Sequence, residues 1–147
     1  MEYNQNNKVV QFCTQGMELE GLGDTKAATD LFLEAWSIAS TDFEKFTAAH
    51  YVARHQNSIT DKLHWDNVAL HFALQIESDT IKAVLPSLYL NIGKCHEDLN
   101  NFKMANVFYE KGLSLIDFLS DDGYGKMIKT GIMNAMGRMK YAINYSL

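Results

Sequence analysis

The sequence predicts an all-α protein of about seven antiparallel helices, and three observations carry that expectation. A single proline stands among 147 residues, so little interrupts a helix. Apolar residues recur every three or four positions over long stretches, the period of a helix with one buried face. No Asn-Gly or Asp-Gly turn sits between alternating segments, so the hairpins of a sheet have no signal.

The elements follow in order. Polar breaks at 22–24, 40–42, 56–60, 77–80, 99–101 and 119–123 leave helices over roughly 6–21, 25–39, 43–56, 61–76, 81–98, 102–118 and 124–144. Asp24 stands ahead of the second helix, and Thr41-Asp42-Phe43-Glu44 has the form of a capping box ahead of the third. Thr60-Asp61, Ser78-Asp79 and Asn100-Asn101 offer short acceptors ahead of the next three. Pro86 lies inside the fifth, where a proline removes a hydrogen bond and crowds the preceding turn. The stripe Ile81, Val84, Leu85, Leu88 and Ile92 continues across it, which predicts a kinked helix rather than a new start. Ile128, Ile132, Ala135, Met139 and Ala142 form the stripe of the seventh. Short connections make neighbours antiparallel.

Size and charge bound the function. At 147 residues and 47% hydrophobic content the chain reads as one domain with a full core. The polar N-terminus is unlike a secretory signal, no apolar run is long enough for a membrane span, and Cys13 and Cys95 are too few for a disulfide framework. A cytoplasmic protein is the resulting expectation. Net charge is −5, and only the segment from 121 onward has a basic balance, which disfavours a nucleic-acid partner.

An internal repeat adds most. Gly16 precedes Ala28, Phe32 and Ala35 at the spacing with which Gly93 precedes Ala105, Tyr109 and Gly112. The pattern of a small residue on one helix, then alanine, an aromatic and a small residue on the next, resembles the tetratricopeptide-repeat family. The resemblance implies three helical hairpins, about 9–42, 43–80 and 81–119, and a capping helix over 124–144, in a short right-handed superhelix. In that packing Gly16 would face Ala28, and Phe32 would fill the gap between hairpins. Gly16 and Gly93 stand nine positions farther apart than two of the family's periods, each about 34 residues long. The middle repeat is therefore expected to hold insertions, with His50 near the missing glycine. The segment His50–Gln56 with Leu63-His64-Trp65 is similar to short bacterial repeat proteins, some of which carry an rRNA adenine methyltransferase label. The residues argue against that chemistry: there is no Gly-rich strand-to-helix turn, and one proline excludes an Asn-Pro-Pro-Tyr motif.

The most unusual stretch is the middle pair of helices. Tyr51, Arg54 and His55 lie within about one turn, with His50 four residues before Arg54, and His64 and Trp65 follow on the next helix. Repeat phase places Tyr51, Arg54 and His55 on a concave groove with Met17, Glu20, Leu90, Lys94 and Glu97. An arginine fork suits a carboxylate or phosphate, and Tyr and Trp add rigid apolar area. The alternative is structural: His50 and Arg54 bracing an inserted 56–61 loop against Asp61 or Asp66.

Other chemistry has thinner support. The histidines lack metal-ligand spacing, and Cys95-His96 point about 100° apart on a helix, which does not make an activated pair. No metal or cofactor is therefore expected. The leading expectation is a non-catalytic scaffold for protein binding, taking a peptide or partner helix near Tyr51, Arg54, His55, Lys94 and Glu97. The alternative is a small-ligand or sensor pocket at His50, Arg54, His64 and Trp65. Met127, Met133, Met136 and Met139 suggest a homodimer surface, and the lysines and arginine of the last helix suggest a polar outer face.

Overall fold

The computed structural model describes residues 4–145. Among them are seven α-helices: α1 (Lys8–Gly21), α2 (Thr25–Ile38), α3 (Asp42–Val52), α4 (Ile59–Ala73), α5 (Asp79–Asp98), α6 (Phe102–Leu113) and α7 (Gly123–Tyr145). Short 3₁₀ turns at Ala53–His55 and Ile116–Phe118 follow α3 and α6, and no described residue is in a strand. The protein is all-α, as the periodicity predicts. The chain divides into two compact units, Met1–Ile76 with α1 to α4 and Glu77–Leu147 with α5 to α7.

Helix starts follow side-chain chemistry. Asn7 Oδ1 accepts from Val9 N at 2.9 Å and opens α1. The Thr41–Glu44 capping box forms in both directions, with Glu44 N donating to Thr41 Oγ1 at 3.1 Å and Thr41 N to Glu44 Oε1 at 3.4 Å. Asn7 Nδ2 also donates to Glu44 at 2.8 Å, tying the start of α1 to that of α3. The start of α4 is earlier than expected: Ser58, not Thr60, caps it, accepting from Asp61 N at 3.0 Å. Asn101 sits at the cap of α6 without a side-chain cap bond.

Helices α1 and α5 end alike. Gly23 and Asn100 take left-handed φ values of 83° and 62°. Asp24 N donates to Leu19 O and Gly23 N to Glu20 O; Asn101 N donates to His96 O and Asn100 N to Glu97 O. These paired bonds satisfy the last carbonyls of each helix. Glycine takes that φ freely, and asparagine is among the few other residues that tolerate it.

The repeat register is cleaner than the sequence implies. Helices α3 and α4 each begin one full repeat period after α1 and α2. Positions 22–24 link the first pair, and 56–58 link the second once the 3₁₀ turn is counted with α3. The middle hairpin therefore has no insertion at 56–61. The nine additional positions fall later in the chain: one at the end of α4, two in the connection to α5, and six in an N-terminal extension of α5. Helix α5 runs unbroken through Pro86, which is fully buried.

The core of the first unit gathers Val9, Cys13, Ala28, Phe32, Ala35, Ala48, Tyr51 and Val52. One core cluster of the second gathers Ala105, Tyr109, Ile128, Ile132, Ala135 and Met139. Each uses a glycine as a socket. A Cβ on Gly16 would stand 2.8 Å from Phe32 Cδ1, and one on Gly93 would stand 2.7 Å from Tyr109 Cδ1, both too close for carbon. Gly16 thus lies against the Phe32 ring, and Tyr51 of the next hairpin stacks on the same ring at 5.2 Å, so Phe32 fills the space between hairpins as expected.

Helix α7 carries the expected inner stripe, with Ile128, Ile132, Ala135 and Met139 buried. Its outer face is not simply polar: Met127, Met133, Tyr141 and Tyr145 are all more than half exposed. No helix among the described residues is long and apolar enough to cross a membrane.

Candidate functional site

Two glutamates spaced as the two socket glycines are, Glu20 on α1 and Glu97 on α5, anchor the charged side chains in the two units. In the first unit Arg54 Nε lies 3.1 Å from Glu20 Oε2, and His55 Nε2 contacts the same oxygen. The His55 ring also lies parallel to Phe32, 6.2 Å away and inclined by 5°. The Arg54 guanidinium sits over the Tyr51 ring at 5.6 Å, and Tyr51 Oη donates to Met17 Sδ at 3.2 Å. The 3₁₀ turn after α3 swings Arg54 and His55 onto α1, which is why two consecutive residues reach one carboxylate.

In the second unit Arg138 on α7 forms a two-bond fork on Glu97, with Nε and Nη2 each at 3.1 Å. Tyr109 Oη donates to Glu97 Oε1 at 2.8 Å, and Lys94 Nζ stands 3.8 Å from Glu97 and 2.7 Å from Asp98. Burial pushes the Glu97 carboxyl up, but the hydrogen bonds from Arg138 and Tyr109 and the charges of Arg138 and Lys94 outweigh it, leaving it below the usual range. The Tyr109 hydroxyl is pushed well up, by burial first and then by Glu97. Arg54, Arg138 and Lys94 remain about half exposed, whereas both glutamates are largely covered.

Tyr51 itself is a core residue, 9% exposed, so its ring is committed to packing. The four residues of the small-ligand alternative point to different neighbours. Arg54 turns to Glu20, His64 is exposed and edge-on to Trp65, and Trp65 lies edge-on to Trp36 at 5.2 Å. His50 stands at the socket position of the middle hairpin, one repeat period after Gly16, and Asp66 stands one period after Phe32. A ring on a glycine has been exchanged for a carboxylate facing an imidazole. Burial lowers the His50 pKa; Asp66 opposes that, and Arg54 and Lys62 add to it. Asp66 is 1% exposed and accepts from Lys62 Nζ at 2.5 Å. His50 Nδ1 and Thr47 Oγ1 are buried and have no hydrogen-bond partner among the described residues.

The structural alternative does not hold as drawn: there is no inserted 56–61 loop to brace, and Arg54 pairs with Glu20. Two partners were not foreseen. Arg138 reads in sequence as an outward cap residue, and Tyr109 as a packing aromatic. The available signal was positional, since Arg54 follows Glu20 by one repeat period, as a repeat neighbour would.

Nucleophiles are quiet. Cys13 is a thiol in the core, pushed up to about 12 by burial, and Cys95 is likewise a buried thiol. Among the described residues, no three His, Cys, Asp or Glu side chains gather as a metal site would require. Comparison of the chain with protein-family models, with curated proteins and with solved structures gave no match.

Proposed function

We propose that the chain is a non-catalytic, tetratricopeptide-repeat-like interaction module, each unit of which takes a peptide or a partner helix on its own first-type helices, α1 and α3 in one and α5 and α7 in the other. The observation that carries this reading is the repeated clamp. In both units a sheltered glutamate orients an arginine that lies on the next first-type helix or in the turn just after it, and the arginine stays half exposed. A guanidinium held in this way keeps donors for a carboxylate or a backbone carbonyl of a partner at reduced entropic cost. Lys94 adds a second exposed cation beside Arg138.

The chemistry expected of an enzyme has less support. The thiols are buried, and the helices of the described residues lack the parallel sheet on which a Rossmann-type cofactor site is built. Cytoplasmic location belongs to the same proposal.

The test is selection of peptides from a displayed random library on the purified chain, followed by titration against Arg54→Ala and Arg138→Ala. Each variant removes donors from a sheltered glutamate and should cost about 1–2 kcal/mol, so binding is titrated well below the melting temperature, where it should be at least several-fold weaker. Unchanged affinity in both variants, or a metabolite such as S-adenosylmethionine raising the melting temperature in place of any peptide, would sink the reading.

A further inference from the structure

The first three helices of one unit correspond in order and contacts to the three of the other, and one face is then left without its counterpart. Arg54 and Arg138 make the same contact, and the buried residues Ala48 and Tyr51 of α3 correspond to Ile132 and Ala135 of α7. In that register His55, on the Phe32 ring, corresponds to Met139, in the core with Tyr109. Helix α7 therefore stands in its unit as α3 stands in the other.

Helix α3 has a second helix packed on it. Along α3 and the 3₁₀ turn that follows it, Phe46, Ala49, His50 and Ala53 are spaced as one helical stripe and are buried or half-buried, and α4 packs on both elements. The corresponding stripe of α7 is Thr130, Met133, Asn134 and Gly137, and all four are exposed. Gly137 has nothing within 4 Å of where a Cβ would stand. A glycine in an exposed helix interior weakens the helix and has no use inside this unit. Its position is that of Ala53, a buried small residue in the 3₁₀ turn that α4 contacts.

The charge on this face selects the visitor. From Gly123 to Tyr145 α7 has four cations and no carboxylate. Arg138 is engaged by Glu97, while Lys126, Lys129 and Lys140 make no ion pair among the described residues. Lys126 and Lys129 share a cleft with Asp117 and Asp121 near the start of the helix. Lys140 and Gly137 line an open groove of about 460 Å³ between α6 and α7, whose one carboxylate, Glu110, accepts from Asn106 at 3.0 Å. A second α7 laid on this face would bring cation against cation, which disfavours an α7-to-α7 dimer.

We infer that the Thr130–Met133–Asn134–Gly137 face of α7 docks an amphipathic helix of another protein, with small apolar residues at its centre and acidic side chains along its rim. It sits where α4 sits on α3, with a rim carboxylate on Lys140. This surface is distinct from the arginine clamps and does not depend on them.

The test uses the full chain and a fluorescein-labelled helical peptide of about four turns, with alanine and leucine on one face and glutamate on the rim, read by anisotropy. The expected result is saturable binding that weakens with salt, is roughly tenfold weaker for the same peptide with a lysine rim, and is lost in Met133→Glu. Lys140→Glu supplies a second variant at an exposed position, expected to weaken the acidic peptide and improve the lysine-rim one. Absence of saturable binding, equal binding of both peptides, or full binding by both variants would overturn the inference. So would a dimer in sedimentation that Met133→Glu dissociates, since the occupant would then be a second copy. Capture of phosphatidylserine vesicles with no peptide binding would overturn it too.

Discussion

The two units solve one problem with different atoms. Each must hold a glutamate at the end of its first helix against an arginine from a later helix. In the first unit the additional donor is His55, and the ring beside it is Phe32, which has no hydroxyl. In the second unit the ring is Tyr109, whose hydroxyl reaches Glu97, and the residue corresponding to His55 is Met139, which fills core. The polar atom has moved from one helix to another while the carboxylate keeps its partners. A clamp of this kind is thus a property of the cluster, and single-residue resemblance between repeats understates it.

The largest expected effect breaks the shared part of the design. Phe32→Ala and Tyr109→Ala should each cost about 3–5 kcal/mol, because a fully buried ring leaves a cavity over a glycine that cannot fill it. Urea unfolding of the full chain measures this, and a loss of only about 1 kcal/mol in either would mean that the socket is slack.

A single methyl group separates two kinds of glycine. Gly16→Ala should destabilise by about 1–3 kcal/mol, since the Phe32 ring must move. Gly137→Ala should stabilise by up to about 1 kcal/mol, because the Cβ meets open space in an exposed helix. The same sign for both would contradict the two descriptions.

The comparison sharpens in a transplant. Tyr109→Phe should cost about 1–2 kcal/mol by removing a donor from the sheltered Glu97. In the first unit His55→Met should cost a similar amount, and adding Phe32→Tyr to it should recover part of the loss by rebuilding the second unit's arrangement. A double-mutant cycle reads the coupling, and strict additivity would show that the hydroxyl does not reach Glu20.

The smallest effect concerns the middle hairpin. The His50 imidazole is held below its ordinary value, chiefly by burial, so the folded state resists a proton that the unfolded chain accepts. That contribution is complete above about pH 6.5 and is lost as pH falls from there through the folded-state pKa. His96, in the other unit, is shifted in the same direction by burial and adds to the slope. His50→Gln should therefore flatten the fall in melting temperature between about pH 7 and pH 5 without abolishing it; an unchanged slope would place the acid sensitivity elsewhere.

Much of the fold was legible because it is local. Periodicity located seven helices, Thr41 and Glu44 announced their capping box, and the matched glycines and rings marked the hairpins. The clamps were less so. Tyr51, Arg54, His55, Lys94 and Glu97 could be placed on one side of their helices, but periodicity does not say that Arg138 would cross to Glu97. Nor does it say that Tyr51 would be committed to the core. The additional positions at the end of α4 and in the connection to α5 do fall within 43–80 as expected, but none falls in the 56–61 loop, because a count between glycines does not locate an insertion. His50 and Asp66 show a subtler failure: a repeat that swaps the large and small partners breaks the motif while keeping the register.

The most direct test of partner binding at the clamps is chemical-shift mapping of a library-selected peptide on the isotopically labelled full chain. The largest shifts should fall on the amides around Arg54 and Glu20, and around Lys94, Glu97 and Arg138, with the Tyr51 and Phe32 environments little changed. Shifts confined to the second-type helices α2, α4 and α6, or a selected peptide whose binding leaves both arginine clamps unmoved, would contradict it.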